Sequence, residues 1–353
     1  MNRLNGSSLK AIREFYGKNQ SYFAKELGIS QPTISKIEKG EKPLEQEHIK
    51  LFSEYFTEKF FQNTHETAPQ QLYYRKLSSI NKTTINLFES RINLIYGAIK
   101  KGLDIVDLES DSKGIPRIDP EQFNLDFEYI ATEIRLRLGI GRGPIANIIE
   151  VLEAYGVIIH FFNYDFISEE NRKFDGVSFY TDGVPIILIN KKIPDSRKVF
   201  TIAHELGHLI MHFDSIINME RDIEKEANKF AAAFLAPEKD IKKDLRQLTL
   251  AKLEGLKLEW NMSISALVYR AFTLGTISDQ TLRWWMMKLA PIRKNEPHEF
   301  KLPAPSLMSE MIKLLNEETD HGFFQDLGYT PKLQQELFNT NHNFSKIKLR
   351  IVK

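Results

Sequence analysis

The stretch Thr201–Asp214, TIAHELGHLIMHFD, decides how this chain is read. It sets His204, Glu205, His208 and His212 into an otherwise apolar run, in a sequence with only 9 histidines. Two imidazoles four residues apart project from one face of a helix and can grip a single ion. Glu205, next in sequence to His204, then stands beside a water at that ion and can act as general base. A chance HExxH is expected only about 0.02 times in a chain of this composition.

The chain contains no Cys, so any metal is held by imidazoles and carboxylates. Zinc suits such donors, with three protein ligands and one position left for water in a catalytic site. His212 extends the i, i+4 series but lies about 12 Å of helical rise beyond His204, too far to share the ion. No Gly turns the chain before it, so His212 is expected behind the ligands or at the surface. The third ligand is then sought in the next helical pattern, IEKEANKFAAAFLAP, where Glu224 and Glu226 are both available. Glu224 is favoured, sharing a helical face with Asn228.

The 353 residues allow two or three domains, and 42% hydrophobic with 27% charged residues describes an ordinary soluble protein. No apolar run reaches 18 residues and no basic start precedes an apolar segment, so neither a membrane span nor secretion is expected. A cytoplasmic location follows. The net charge of +1 hides a gradient: the first 40 residues carry a surplus of four positive charges and the remainder a surplus of three negative ones. A polyanion is therefore expected at the amino-terminal end.

That end reads as short helices, Leu4–Phe15, Ser21–Leu27 and the QPTISKIEKG segment, with a further helix over Leu44–Phe56. Gly28 permits a tight turn, Ser30 is a natural N-cap and Pro32 is tolerated in a first turn. Ala24 is small where two helices would cross, and Ile34 and Ile37 face the core. Gln20, Gln31, Thr33, Ser35 and Lys36 are the candidate DNA contacts, side chains able to reach base edges and phosphates. Beyond a boundary near residue 66, Leu72–Lys101 is helical, and Glu109–Pro120 has a linker's composition. VIIHFF, GVSFY and VPIILIN read as strands, the last two joined by a hairpin at Thr181-Asp182-Gly183. Phe61–Gln71 and Glu109–Pro120 are read as flexible tethers.

FTIAHELGHLIMH followed by EKEANKFAAAFLAP resembles the ImmA/IrrE family of zinc metallopeptidases, and the likeness spans about residues 121–240. It implies zinc held by His204, His208 and Glu224, with Glu205 as the catalytic base. QSYFAKELGISQPTISKIEKG resembles the Xre, or Cro/phage-repressor, family over residues 4–60, with Asn19-Gln20 where that family usually opens with Thr-Gln.

The expected fold is α/β but mainly α. An all-α helix-turn-helix domain (1–66) and a helical connector (67–120) precede a zincin-like α+β metallopeptidase domain (121–240) and a helical carboxy-terminal region (241–353). The expected function is a DNA-binding regulator whose zinc endopeptidase domain cleaves a regulatory protein, in prophage or stress control as the resemblance implies. The rival reading is a regulator whose zincin domain only senses a ligand or metal. Expected partners are duplex operator DNA and a protein substrate such as a repressor, with no membrane; a homodimer is compatible. The substrate would add to an exposed edge, Val184–Asn190 or Gly176–Tyr180. His160, Tyr180 and His212 are candidates for stabilising the oxyanion. The Trp284–Met287 cluster and the segment Asn261–Ser278 read as core and interface.

Overall fold

Short polar side chains start most of the helices. Asn5, Asn19, Ser30, Asn81, Asp126, Asn147 and Asp222 each accept a hydrogen bond from a backbone N–H two or three residues ahead, satisfying donors that a helix start leaves open. The computed structural model describes residues 5–65, 67–68, 81–109, 114–167, 175–213, 221–293, 296–338 and 348–351. The first helices are α1 (Gly6–Phe15), α2 (Gln20–Glu26), α3 (Gln31–Glu38), a short α4 (Gln46–Ile49) and α5 (Lys82–Leu103). Strand β1 (Val106–Glu109) and helices α6 (Phe127–Arg137) and α7 (Ile148–Ala154) lead to β2 (Ile158–Phe162), β3 (Gly176–Thr181) and β4 (Val184–Asn190). Then come α8 (Asp195–Met211), α9 (Ile223–Leu235), α10 (Glu238–Ile241), α11 (Leu250–Trp260), α12 (Ile264–Thr273) and α13 (Asp279–Leu289). Helices α14 (Leu307–Glu318), α15 (Phe323–Asp326) and α16 (Pro331–Phe338) precede β5 (Lys348–Ile351), which pairs antiparallel with β1. This is the expected mainly-α architecture around a small sheet.

The sheet order is β2-β4-β3, with β2 parallel and β3 antiparallel to β4. The β3–β4 hairpin turns through Asp182 and Gly183, both at positive φ, as a two-residue loop of the expected kind requires. Strand parity divides the core. Ile158, Phe162, Val177, Phe179, Ile186 and Leu188 pack on the side of α5, α14 and α16. Ile159, Ile187 and Ile189 pack on the side of α8. Burial of both faces explains why PIILI reads as a continuous apolar run.

Several expectations need correction or restriction. Leu44–Phe56 is not one helix: after α4 the chain tightens into a 3₁₀ turn at Lys50–Phe52. The backbone there is diverted to the carboxy-terminal segment, Thr57 N–H donating to Gly328 O (2.8 Å) and Thr330 N–H to Tyr55 O (3.1 Å). Of the helix expected from Leu72, residues 72–80 lie outside the described residues, as do the boundary at residue 66 and linker residues 110–113. The segments read as tethers are each anchored by buried residues where they are described. Phe61 is fully buried, Ile115 and Ile118 are buried, and Ile118 N–H donates to Ile210 O at 2.8 Å.

The stretch 241–338 divides between the two cores. Helices α11–α13 join the α8 side, whereas α14–α16 share a core with α1–α3 and α5. Arg91 on α5 bolts this second group together. Its guanidinium donates to Phe15 O (3.0 Å), pairs with Glu336 (3.0 Å) and lies over the Phe15 and Phe166 rings. No helix among the described residues is long and apolar enough to cross a membrane.

Candidate metal centre and nucleic-acid interface

Helix α8 buries His204, Glu205 and His208, and His212, which caps its end, is buried too. Helix α9 approaches it closely because position 207 has no side chain. A Cβ there would stand 2.9 Å from the Phe230 ring and 3.4 Å from Ala227 Cα. The close crossing brings Glu224 to the two histidines. Nε2 of His204 and Nε2 of His208 are 3.1 Å apart, and the Glu224 carboxylate lies 3.5 Å from the first and 3.3 Å from the second. Ligand atoms held 2.0–2.1 Å from a tetrahedral zinc stand about 3.3 Å from one another. Two imidazole nitrogens and a carboxylate oxygen at this spacing fit three corners of such a site, and His204, His208 and Glu224 are the His, Cys, Asp and Glu group so arranged among the described residues.

The rings are held in the tautomer that ligation needs. His204 Nδ1 lies 3.0 Å from Asn228 Oδ1, which can only accept, so the proton sits on Nδ1 and Nε2 keeps its lone pair. His208 Nδ1 lies 2.9 Å from His212 Nδ1, and His212 Nε2 lies 3.1 Å from the Glu226 carboxylate. A consistent assignment has His212 donating to Glu226 and accepting from His208. Arg221 closes the row with a two-pronged contact to Glu226 at 2.9 and 2.6 Å. Burial lowers the His208 pKa, and it lowers that of His212 to about 4, both in the direction that favours a neutral ring. Arg221 and His212 hold the Glu226 carboxyl below its ordinary range against the opposing effect of burial. Glu226 therefore serves His212 and Arg221, while Glu224 serves the ligand pair.

Glu205 faces β3, where Ser178 Oγ donates to its carboxylate at 2.8 Å. Gly176 lets the strand lie this close: a Cβ there would meet Thr201 Cγ2 at 2.8 Å and Glu205 Cγ at 3.2 Å. His204, Glu205 and Glu224 all open on a cleft of about 1090 Å³. The three oxyanion candidates lie elsewhere. His160 meets Leu337 O at 2.7 Å on the far side of the sheet, Tyr180 donates to Leu209 O at 3.2 Å, and His212 is taken up behind His208. Of the two strands considered as an edge, β4 is central and β3 lies at an edge of the described three-stranded sheet. Ser178, Arg221 and the role of Glu226 were not read from the sequence; a lone serine inside the apolar run GVSFY was the one available signal.

At the other end, α2 and α3 meet with Ala24, Ile34 and Ile37 buried, and Gly28 takes φ +66° in the turn. Gln31 and Lys36 are exposed, and Gln20, Thr33 and Ser35 half-exposed. Gln31 donates to Gln20 at 2.6 Å, Gln20 donates to Glu38 at 2.9 Å, and Arg13 pairs with Glu38 at 2.6 Å. Gln20 thus braces Gln31 from α2, while Thr33 is engaged with the capping Ser30 at 2.9 Å.

Comparison with known families matches residues 9–60 to the helix-turn-helix family and residues 159–272 to the peptidase M78 family, described as the IrrE N-terminal-like domain. The chain is a helix-turn-helix unit fused to an IrrE-like peptidase-family domain. No curated protein matches it. The IrrE-like match contains the α8–α9 crossing, α11 and nearly all of α12, so most of the cleft's lining falls within it, while Leu125–Glu128 and the residues from Thr273 onward lie outside. The helix-turn-helix match covers α2, α3 and the greater part of α1.

Proposed function

We propose that this chain is a cytoplasmic DNA-binding regulator whose IrrE-like domain is a zinc endopeptidase acting on a regulatory protein, a repressor or a copy of the chain itself. The observation that carries the reading is the convergence of His204, His208 and Glu224 donor atoms within 3.5 Å at a cleft that also contains Glu205. Bound there, zinc supplies Lewis acidity towards a carbonyl oxygen and makes a water acidic enough to lose its proton near neutral pH. Glu205 accepts that proton and returns it to the leaving amine. Ser178 pins one carboxylate oxygen of Glu205 and so fixes the direction of the other. Asn228 and His212 orient the ligand imidazoles, and the substrate chain lies in the cleft beside β3. Gln31, Thr33, Ser35 and Lys36 meet duplex DNA, with Gln20 bracing Gln31.

A purely sensory zincin domain has no use for Glu205 or for a serine aimed at it, which disfavours the rival reading. The test is metal content and cleavage of candidate repressors by purified wild type beside Glu205→Gln. One zinc per chain in both, with cleavage in wild type alone, is the expected result. Zinc-free wild type of native fold would overturn the metal centre, and equal cleavage by both proteins would overturn the role of Glu205.

A further inference from the structure

The cleft that holds the metal group extends past it, and the extension is apolar. On α8, Phe200 lies one turn before His204, about 6 Å along the axis. On α9, Ala232 lies eight residues beyond Glu224, about 12 Å along. Tyr269 and Phe272 on α12 and Met286 on α13 form the opposite wall, and Leu125 joins from the loop before α6. Several charged residues on the cleft are engaged in ion pairs: Arg197 with Asp175, Arg270 with Glu128, and Glu296 and Glu299 with the buried Lys257, while Lys225, Lys229 and Arg293 also line it. Between these charges, Phe200, Ala232, Tyr269, Phe272, Met286 and Leu125 supply the apolar lining.

Two of these side chains are displayed at a cost. Tyr269 is 50% exposed and Leu125 is 40% exposed, although both are large and apolar. Leu125 also has φ +56°, directly after Asn124 at +52°. Asn tolerates the left-handed region, whereas a Leu there is strained. Backbone strain of this kind gathers at ligand sites, where it fixes the direction of a side chain.

We infer that this end of the cleft is a specificity subsite for a bulky apolar side chain, aromatic or long aliphatic, of the peptide whose scissile bond lies at the metal group. The inference rests on the peptidase reading and adds the class of sequence selected. An extended peptide advances about 3.3–3.6 Å per residue, so axial separations of 6–12 Å place the subsite two to three residues from the bond cut. Continuity with the metal group identifies the occupant as the substrate chain.

The test titrates full-length, zinc-loaded protein with acetohydroxamate, which reports the metal alone. Peptide hydroxamates carrying Phe or Ala two or three residues from the chelator, extended in either direction, report the subsite. In one direction the Phe compound should bind at least about tenfold tighter than its Ala counterpart, as burial of a phenyl ring predicts. Tyr269→Asp and Leu125→Asn should each reduce that ratio below about threefold and leave acetohydroxamate affinity unchanged. Leu125→Asn should also keep or raise the melting temperature, because Asn accepts the left-handed backbone; a fall in stability would overturn the role given to the strain. Absence of a Phe preference, or a preference surviving both substitutions, overturns the subsite while acetohydroxamate binding upholds the metal centre. Failure of acetohydroxamate to bind overturns the metal centre and the subsite with it.

Discussion

Helices α2 and α3 cross around Ala24 and turn at Gly28; helices α8 and α9 cross around Gly207 and Ala227. Both pairs use small residues to bring backbones together, and both carry the polar groups on which function is proposed. They orient those groups oppositely. The first pair buries its apolar side chains and turns Gln31 and Lys36 outward, to the surface. The second turns His204, Glu205 and His208 inward, none of them more than 6% exposed, and surrounds them with Asn228, Ser178 and the His212–Glu226–Arg221 row. An outward group can be replaced with little effect on its neighbours. An inward one is supported by neighbours that lose their own partners when it goes.

The sharpest separation of chemistry from architecture is expected at Glu205. Glu205→Gln should lower cleavage by about 10²–10⁴-fold while zinc stays near one per chain, as read by metal analysis beside a proteolysis assay. His208→Ala should lose the metal itself. Next comes Glu226→Ala, which leaves Arg221 and His212 buried without their carboxylate. It should cost about 3 kcal/mol in denaturant unfolding, against less than about 0.5 kcal/mol for the outward Gln31→Ala. Equal losses at the two positions would break the contrast.

A pH effect of up to about 3 kcal/mol is expected at the seam between the two cores. There the buried Glu153 of α7 accepts from Ser306 N–H and Leu307 N–H at the start of α14, and burial pushes its carboxyl up to about 7. A raised carboxyl binds its proton more tightly in the folded state. The stability it contributes is therefore complete below about pH 4.5 and is lost as pH rises towards 7. Unfolding measured from pH 4.5 to 7.5 should show wild type losing this increment relative to Glu153→Gln.

The smallest effects belong to the outward pair. Gln31→Ala with Thr33→Ala should cost about 1–3 kcal/mol of discrimination between operator and random DNA. Lys36→Ala should weaken binding to both and reduce the salt slope by about one.

The His204–His208 half of the proposed metal group was legible because the spacing of the two residues is a property of one helix. Glu224 was separable from Glu226 only through the face it shares with Asn228 and a family likeness. Two residues along α9 is enough to turn one carboxylate towards the cleft and the other towards His212. Ser178 was not legible, because its partner Glu205 is 27 residues away in another element and a serine in a strand fits many roles. His160 was misjudged as an oxyanion candidate for a reason the sequence did contain. It shares strand parity with Ile158 and Phe162, which face away from α8. The attachment of α14–α16 to the helix-turn-helix core was beyond reach, since apolar periodicity says that a face is buried without saying against what.

Gly328 gives that attachment a consequence in time. A Cβ at this position would lie 2.1 Å from Phe60 N and 2.5 Å from Phe60 Cα, so two backbones separated by 268 residues of chain press directly on each other. Synthesis at about 5–20 residues per second puts roughly 13–54 s between the appearance of one and the other. Helices α1–α3 thus leave the ribosome well before the segment that helps close their core. A nascent or truncated chain that ends before α15 carries α1–α3 on an unfinished support, and the support is finished only once α15 and α16 have docked.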